Sequence, residues 1–182
     1  MSRGLEATIG YKPGRDSGTF SYAARIATVA VDPEIGDIEI LDYVIVEDGG
    51  KLINPMVVDG QIYGGFAQGV GTALYEEMNF DSTGQPLAST FADYLLPGPT
   101  EVPAPRLRHM ETLAPYTEFG VKGLGEGGAI APPAAIGNAV NDALRSLRAE
   151  ILRSPITPRR VLEAIAAAKR ESAPVGFEEL DG

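Results

Sequence analysis

A single acidic residue lies within a glycine-rich segment and is the first candidate for chemistry in this chain. Glu126 is surrounded by Gly123, Gly125, Gly127 and Gly128. Because glycine has no Cβ atom, such a backbone lets a ligand approach within contact distance. A general base must lie within hydrogen-bond reach of the proton that it removes, so an acid in an open loop suits that role. The alternative is that Glu126 only complements the dipole of the helix predicted to follow it.

An ordered series of motifs includes this loop and extends from about Phe20 to Leu144. In chain order they are Val31-Asp-Pro-Glu-Ile-Gly36, Glu47-Asp-Gly-Gly-Lys-Leu-Ile-Asn-Pro55, Asp59-Gly-Gln-Ile-Tyr-Gly-Gly-Phe-Ala-Gln-Gly-Val-Gly-Thr-Ala-Leu-Tyr-Glu-Glu77, Asp93-Tyr-Leu-Leu-Pro97, His109-Met-Glu-Thr112 and the Glu126 loop. The series resembles the C-terminal segment of the molybdenum-binding large subunit of the xanthine oxidase family. That family includes xanthine dehydrogenases, aldehyde oxidoreductases and aerobic carbon monoxide dehydrogenases.

The resemblance implies a reaction and a set of cofactors. In that family the corresponding glutamate is the base that activates a molybdenum-bound hydroxide or water, which implies this role for Glu126. The implied reaction is oxidative hydroxylation of a small substrate with water as the oxygen source. The implied cofactor is molybdopterin, in its plain or its cytosine dinucleotide form. The 2Fe-2S and FAD centres are expected on partner chains or domains, because this chain has no cysteine to ligate a cluster.

A glycine-rich helix, predicted from Pro55 to about Glu77, supplies further candidates. Gln61 and Gln68 are seven residues apart, or two helical turns, so both side chains project from nearly the same side. A primary amide carries donors and an acceptor and suits a pterin ring edge, a phosphate or an oxo group. In the resembled family a glutamine of this segment contacts molybdopterin, and Gln61 matches that position better. A helix-to-helix or helix-to-loop hydrogen bond is the alternative for either side chain.

The full set predicted to bind the cofactor combines this helix with the loop around Glu126. The set is Gln61, Gly64, Gly65, Gln68, Lys122, Gly123 and Gly125. Lys122 has three interpretations: it holds a negative cofactor group, pairs with Glu126, or is a solvated surface lysine. No metal ligand is expected from the chain, since its single histidine, His109, excludes a multi-histidine site.

The pattern of elements predicts an α+β fold in which β-hairpins pack with helices as part of a molybdenum-cofactor-binding domain. The predicted elements besides the glycine-rich helix are strands at Phe20–Val31, Asp37–Glu47 and Arg106–Leu113, a second hairpin at Asn79–Ser89, and helices at Pro133–Arg153 and Thr157–Arg170. Residues 19–170 are predicted to form the molybdopterin-binding segment. Residues 1–18 are an N-terminal arm, and residues 171–182 an acidic tail.

Composition narrows the class of protein. The 182 residues suit one domain with a substantial core. A formal net charge of -10 argues against nucleic-acid binding, because no basic stripe is present to neutralise phosphates. No apolar run approaches the roughly 20 residues that span a bilayer, and the N-terminus lacks the pattern of a secretory leader. A cytoplasmic protein is therefore expected.

Two other interpretations compete with a molybdopterin site. The run Gly123-Leu-Gly-Glu-Gly-Gly128 satisfies the G-x-G-x-x-G pattern of dinucleotide-binding folds. That fold needs a second parallel strand after the helix, and the sequence gives another helix there instead. The second interpretation is that the chain is a structural or assembly subunit, which keeps the fold but has lost catalytic turnover.

The extent of the resemblance also sets an expectation about assembly. It covers only about the last quarter of the usual large subunit, so the chain is either a fragment or one piece of a split subunit. The opening methionine and the capped last helix favour a split subunit. The expected partners are the rest of the molybdenum-binding subunit, iron-sulfur and flavin subunits, and a small-molecule substrate.

Overall fold

A computed structural model describes residues 4, 5, 7–10 and 18–172 of the chain. It contains a three-stranded sheet in the order β1-β2-β3, formed by β1 (Tyr22–Val31), β2 (Ile38–Asp48) and β3 (Arg106–Met110). Helices cover one side of this sheet, so the α+β prediction is confirmed. Most of the predicted arm and of the predicted tail lies outside the described residues.

The first hairpin forms where the sequence predicts it. Its turn is closed by the Asp32 carboxylate, which accepts hydrogen bonds from the backbone N–H groups of Glu34 (2.8 Å) and Ile35 (3.3 Å). Gly36 follows with φ of +78°, a conformation that favours glycine. The strands are antiparallel, with a bulge opposite Thr28 and Val29 that shifts the inward-facing residues of β2 by one position.

The third strand departs from a pure hairpin arrangement, because β3 pairs with β2 in parallel. The predicted strand to Leu113 is also too long. Strand pairing stops at Met110, and the backbone N–H of Thr112 instead donates to the Asp48 carboxylate at 2.8 Å. The predicted second hairpin is reduced to one bridge between Phe80 and Pro86. The intervening turn is held by the side chain of Asp81 rather than by a strand ladder.

The glycine-rich helix is α1 (Pro55–Val70), and it continues as a wider π-type turn, Gly71–Tyr75. Asn54 caps its first turn by accepting from the Val57 N–H at 3.3 Å, and proline occupies the first helical position. The predicted helix start is therefore confirmed.

Three further helices follow the Glu126 loop: α2 (Gly127–Ile130), α3 (Pro132–Leu144) and α4 (Pro158–Glu171). The predicted extension of α3 to Arg153 is wrong, because the chain turns at Arg148, which has φ of +54°. The Asn141 amide fastens the returning chain by bonding both the N–H and the C=O of Ile151, at 2.8 and 3.0 Å. The α4 prediction is confirmed, including its Thr157 cap.

The core lies between the sheet, α1, α3 and α4. Its largest buried side chains include Tyr43 and Ile45 of β2, Phe66 of α1 and Ile136 of α3. The rings of Tyr43 and Phe66 have centroids 4.4 Å apart. Burial raises the pKa of Tyr43 to about 12, so this hydroxyl stays protonated. Among the described helices, none combines the length and apolarity needed to cross a membrane.

Candidate active site

The segment that enters the Glu126 loop runs beside the end of β2. Gly50 forms an antiparallel bridge with Val121, and the Lys122 N–H donates to the Gly49 carbonyl at 3.1 Å. One residue further, the Gly123 N–H donates to the Thr19 hydroxyl at 3.2 Å. These bonds attach the start of the loop to the sheet.

The Lys122 side chain strengthens this attachment through a buried ion pair. Its Nζ lies 3.0 Å from Asp48 Oδ1, with the two side chains 6% and 0% exposed. Burial alone would raise the pKa of Asp48, but hydrogen bonds from Thr112, Gly50 and Lys122 outweigh it and lower that pKa well below its usual range. Lys122 therefore pairs with Asp48 and not with Glu126, and its side chain is buried and not solvated.

A second buried ion pair lies at the end of the loop. Arg25 Nη2 on β1 is 2.6 Å from Glu47 Oε2 on β2, and both side chains are 2% exposed. The same nitrogen donates to the Gly127 carbonyl at 2.5 Å. A Cβ atom added to Gly127 would lie 2.6 Å from Glu47 Oε1 and 2.9 Å from Leu124 Cδ1, so a larger residue there would require these side chains to move. Burial raises the pKa of Glu47, although the Arg25 charge acts in the opposite direction.

Arg25, Glu47 and Asp48 are not among the site residues that the sequence predicts. Arg25 and Glu47 occupy inward-facing positions of strands that are otherwise apolar on that face. Charged residues at such positions are rarely buried unless they are paired, so the alternation of apolar residues could have predicted a buried ion pair here. It did not indicate which residues they would contact.

Glu126 itself is exposed and occupies the position just before α2. Its backbone carbonyl accepts from the Ala129 N–H at 2.9 Å, but its side chain makes no capping hydrogen bond. The following helix has only four residues and a correspondingly short dipole. The helix-complementing alternative therefore receives no support from this geometry, and the carboxylate has no partner among the residues that the structure describes.

A cleft of about 330 Å³ adjoins the loop. It lies between the segment after β2, the first turns of α1 and the start of the Glu126 loop, and its lining is Gly49, Lys51, Leu52, Ile53, Asn54, Val57, Val58, Gln61, Val121, Lys122, Leu124 and Gly125. Three predicted cofactor residues, Gln61, Lys122 and Gly125, thus meet in one place, and Glu126 directly follows the last of them. Gly64, Gly65, Gln68 and Gly123 do not line this cleft.

The side chains of Gln61 and Gln68 do not make the helix-to-helix or helix-to-loop hydrogen bonds that were the alternative to cofactor binding. Gln61 and Gln68 are both exposed, and neither amide bonds to any residue in the described part of the chain. Gly64 lies on the same exposed face of α1, and a Cβ atom added there would have no other atom within 4 Å. That face of the helix is consequently open to a ligand or a partner from outside the described residues.

Gly65 has a different environment from the one predicted. A Cβ atom there would lie 2.8 Å from Gly128 Cα and 2.9 Å from the Ala129 nitrogen. Its missing side chain therefore lets α1 and α2 pack backbone to backbone. This contact places the residues after Glu126 against α1, the helix that carries Gln61.

The dinucleotide alternative fails on the order of elements. After the Gly123–Gly128 run, the described chain forms α2, α3 and α4 and no further strand. The parallel pairing of β2 with β3 precedes the run, so the run does not join a strand to the crossover helix that the fingerprint requires.

Comparison with known proteins decides the family. Residues 1–103 match the model of the molybdopterin cofactor-binding domain. The chain belongs to that family. Similarity to individual members of the molybdopterin-binding family extends past residue 103 and over most of the chain. The resemblance to molybdenum-binding large subunits that the motifs indicate is thereby confirmed.

Three members of the molybdopterin-binding family illustrate the similarity. The nicotine 6-hydroxylase large subunit of Paenarthrobacter nicotinovorans is 38% identical over 177 residues, which are 97% of this chain and 21% of that protein. The carbon monoxide dehydrogenase large chain of Hydrogenophaga pseudoflava is 32% identical over 91% of this chain and 20% of its own length. The crystal structure of quinoline 2-oxidoreductase from Pseudomonas putida 86 aligns with a TM-score of 0.74 and 45% identity, over 76% of this chain and 18% of that one. The chain thus spans about a fifth of the length of these relatives.

Proposed function

We propose that the chain is the C-terminal part of a molybdenum hydroxylase large subunit, in which Glu126 acts as the general base and the cleft beside it forms part of the molybdopterin pocket. The observation that carries this proposal is the meeting of Gln61, Lys122 and Gly125 in one cleft next to Glu126. Gln61 and Gly125 are 64 residues apart in the sequence, and both line the cleft.

The residues present fit a molybdopterin group. The free Gln61 amide offers donors and an acceptor to a pterin edge or a phosphate. Gly123 and Gly125 have no atom within 4 Å of a Cβ position, so a large ligand can approach their backbone closely. Gly64 and Gln68 continue the exposed face of α1 beyond the cleft. Lys122 lines the cleft, while Asp48 holds its ammonium group.

The overall reaction proposed is R–H plus water giving R–OH, two protons and two electrons. The bound cofactor would supply the molybdenum centre that accepts the two electrons. This chain would supply the base: Glu126 takes a proton from the water that provides the oxygen. The pterin is either plain molybdopterin or its cytosine dinucleotide form.

The chain is proposed to act only with partners, in the cytoplasm. It covers about a fifth of its relatives' length, so most of the cofactor pocket must come from another segment. It has no cysteine, so the 2Fe-2S cluster that removes electrons must be bound elsewhere, together with FAD. Nicotine and quinoline are suitable first probe substrates, because two of the relatives are named for acting on them.

Glu126→Gln in the assembled enzyme tests the base assignment. The substitution keeps the size of the side chain and removes its basicity, and general base catalysis typically contributes about 10²–10⁴-fold. We expect kcat to fall by that factor while molybdenum content stays at the wild-type level. Glu118→Gln is the control, because it removes an exposed glutamate from the same segment outside the cleft.

Two outcomes would contradict the proposal. One is an assembled Glu126→Gln enzyme that keeps more than half of the wild-type kcat. The other is a wild-type complex without molybdenum whose partner chains keep full activity, which would indicate a non-catalytic assembly subunit.

A further inference from the structure

Two consecutive acids at the end of β2 hold the two ends of the Glu126 loop. Asp48 pairs with Lys122 at the start of the loop. Glu47 pairs with Arg25, which donates to the Gly127 carbonyl at its end. Successive residues of a strand point to opposite faces of the sheet, so one strand end fixes the loop from both sides.

Between these two attachments the chain makes few bonds of its own. The Gly123 N–H bonds to Thr19, a Cβ atom at Gly125 would have no atom within 4 Å, and the Glu126 side chain makes no hydrogen bond or ion pair within the described residues. Glycines on both sides give this backbone wide conformational freedom. The direction of the Glu126 carboxylate therefore depends on how firmly Lys122 and Gly127 are held.

Stability alone does not account for the Arg25–Glu47 pair. A buried ion pair can often be replaced by apolar residues of similar volume without loss of stability, because desolvation offsets the attraction between the charges. Arg25 also leaves its Nε and Nη1 buried without a partner among the described residues, which adds to the cost. What an apolar pair cannot provide is the hydrogen bond from Arg25 to the Gly127 carbonyl.

We propose that Arg25 and Glu47 are positioning residues that orient the Glu126 carboxylate. Glu47 fixes the Arg25 guanidinium, and the guanidinium fixes the carbonyl of the residue that follows Glu126. The inference rests on the proposed role of Glu126 as the base. It assigns a catalytic effect to two residues that lie within the sheet and do not line the cleft.

The test uses the assembled enzyme and the double variant Arg25→Met/Glu47→Leu. Arg25→Met alone leaves a buried carboxylate unpaired and can prevent folding, whereas the double variant replaces both charges with apolar side chains. The control is Arg159→Met/Glu163→Leu, which removes an exposed ion pair of α4. Three quantities are measured: the melting temperature, hydrogen exchange of the amides of residues 127–130, and kcat and KM with quinoline or nicotine.

We expect the melting temperature of the double variant to stay close to that of wild type, because the desolvation cost of the two charges offsets their attraction. Exchange at residues 127–130 should be about tenfold faster, because the loop opens locally. The kcat should fall by about 10–100-fold with KM unchanged, since a misplacement of about 1 Å can cost that much. The control should resemble wild type in all three measurements.

Two results for the double variant would overturn the inference. One is a hydrogen-exchange rate at residues 127–130 equal to that of wild type. The other is faster exchange at these residues together with an unchanged kcat. Glu126→Gln, measured in parallel, separates this failure from failure of the base assignment. If Glu126→Gln keeps the wild-type rate, the base assignment fails, whereas the exchange data still decide whether Arg25 holds the loop.

Discussion

The pKa values of two adjacent buried carboxylates at the end of β2 shift in opposite directions. Hydrogen bonds from Thr112, Gly50 and Lys122 outweigh the burial of Asp48 and lower its pKa. Burial of Glu47 raises its pKa despite the Arg25 charge. The difference has a physical cause: Asp48 accepts several hydrogen bonds, whereas Glu47 accepts from a guanidinium that it shares with the Gly127 carbonyl.

These shifts predict opposite pH trends for two conservative variants. A depressed pKa in the folded state gives stability that is present above the unfolded pKa, about 3.9 for aspartate, and is lost as pH falls through the folded pKa. The melting temperature of wild type minus that of Asp48→Asn should therefore be constant above about pH 5 and shrink in more acidic solution.

Glu47→Gln should show the reverse trend. A raised folded pKa gives stability that is present below the unfolded pKa, about 4.3 for glutamate, and is lost as pH rises through the folded pKa. The melting temperature of wild type minus that of Glu47→Gln should therefore decrease as pH rises from the unfolded pKa through the folded pKa. Parallel curves for the two variants, measured by thermal melting of the assembled complex, would contradict these assignments.

Gln61 carries a prediction about cofactor retention. If its amide bonds the pterin or its phosphate, Gln61→Ala leaves a buried polar partner unsatisfied, at a cost of about 1–3 kcal/mol. Molybdenum and pterin content after extensive dialysis should fall. Gln68→Ala should lose less, because Gln68 lies outside the cleft. Gln85→Ala, in an exposed turn, is the control, and equal cofactor content in the Gln61 and Gln85 variants would count against the role of Gln61.

At the scale of elements, the glycines of α1 serve two different surfaces. Gly65 and Gly69 face the chain itself, where added Cβ atoms would meet Gly128 and Pro132. Gly60 and Gly64 have open space around them. Gly65 and Gly69 let α1 pack against the segment after Glu126, whereas Gly60 and Gly64 leave gaps between the side chains of the exposed helix face.

Substitution of these glycines should separate the two surfaces. Gly65→Ala places a Cβ atom 2.8 Å from Gly128 Cα, and overpacking of this kind costs about 1–3 kcal/mol. We expect a lower melting temperature and a lower kcat, since the displaced Gly128 adjoins the Glu126 loop. Gly60→Ala is the matched control, because alanine is favoured over glycine in a helix by up to about 1 kcal/mol. Equal melting temperatures for the two variants would show that the α1–α2 contact is looser than the structure indicates.

At the scale of the whole molecule, many large apolar side chains are exposed near the candidate site. They include Ile53 (73%), Met56 (78%), Phe119 (71%) and Ile130 (78%). Extended apolar patches on a folded surface usually mark contacts with a partner. The chain spans about a fifth of its relatives' length, and the proposed function therefore predicts that a segment equivalent to the rest of such a large subunit covers these side chains.

Expression with and without that partner tests the dependence on assembly. Alone, the chain should associate with itself or precipitate and should retain no molybdopterin. Co-expressed with a chain that carries the preceding part of a molybdenum-binding subunit, it should co-purify in a complex that contains molybdenum. Size-exclusion chromatography and metal analysis distinguish the two states. A monodisperse monomer with hydroxylase activity of its own would refute the requirement for a partner.

The sequence by itself determined the features that depend on neighbouring residues. The first hairpin follows from alternating apolar residues and a turn that Asp32 can close. The starts of α1 and α4 follow from the Asn54-Pro55 and Thr157-Pro158 pairs. The family also follows from sequence, because its motifs occur in a fixed order. In each case the deciding residues lie within a few positions of one another, where local backbone chemistry is sufficient.

Only the tertiary structure decided the features that join distant residues. The end of α3 depends on a side-chain clamp between Asn141 and Ile151, and a helical pattern gives no sign of it. The partner of Lys122 is Asp48, which lies 74 residues earlier in the chain. The bond from Arg25 to the Gly127 carbonyl spans 102 residues. Sequence identified Glu126 as the candidate base, but what holds its loop depends on pairing within the sheet, because burial and charge pairing arise only when remote segments pack together.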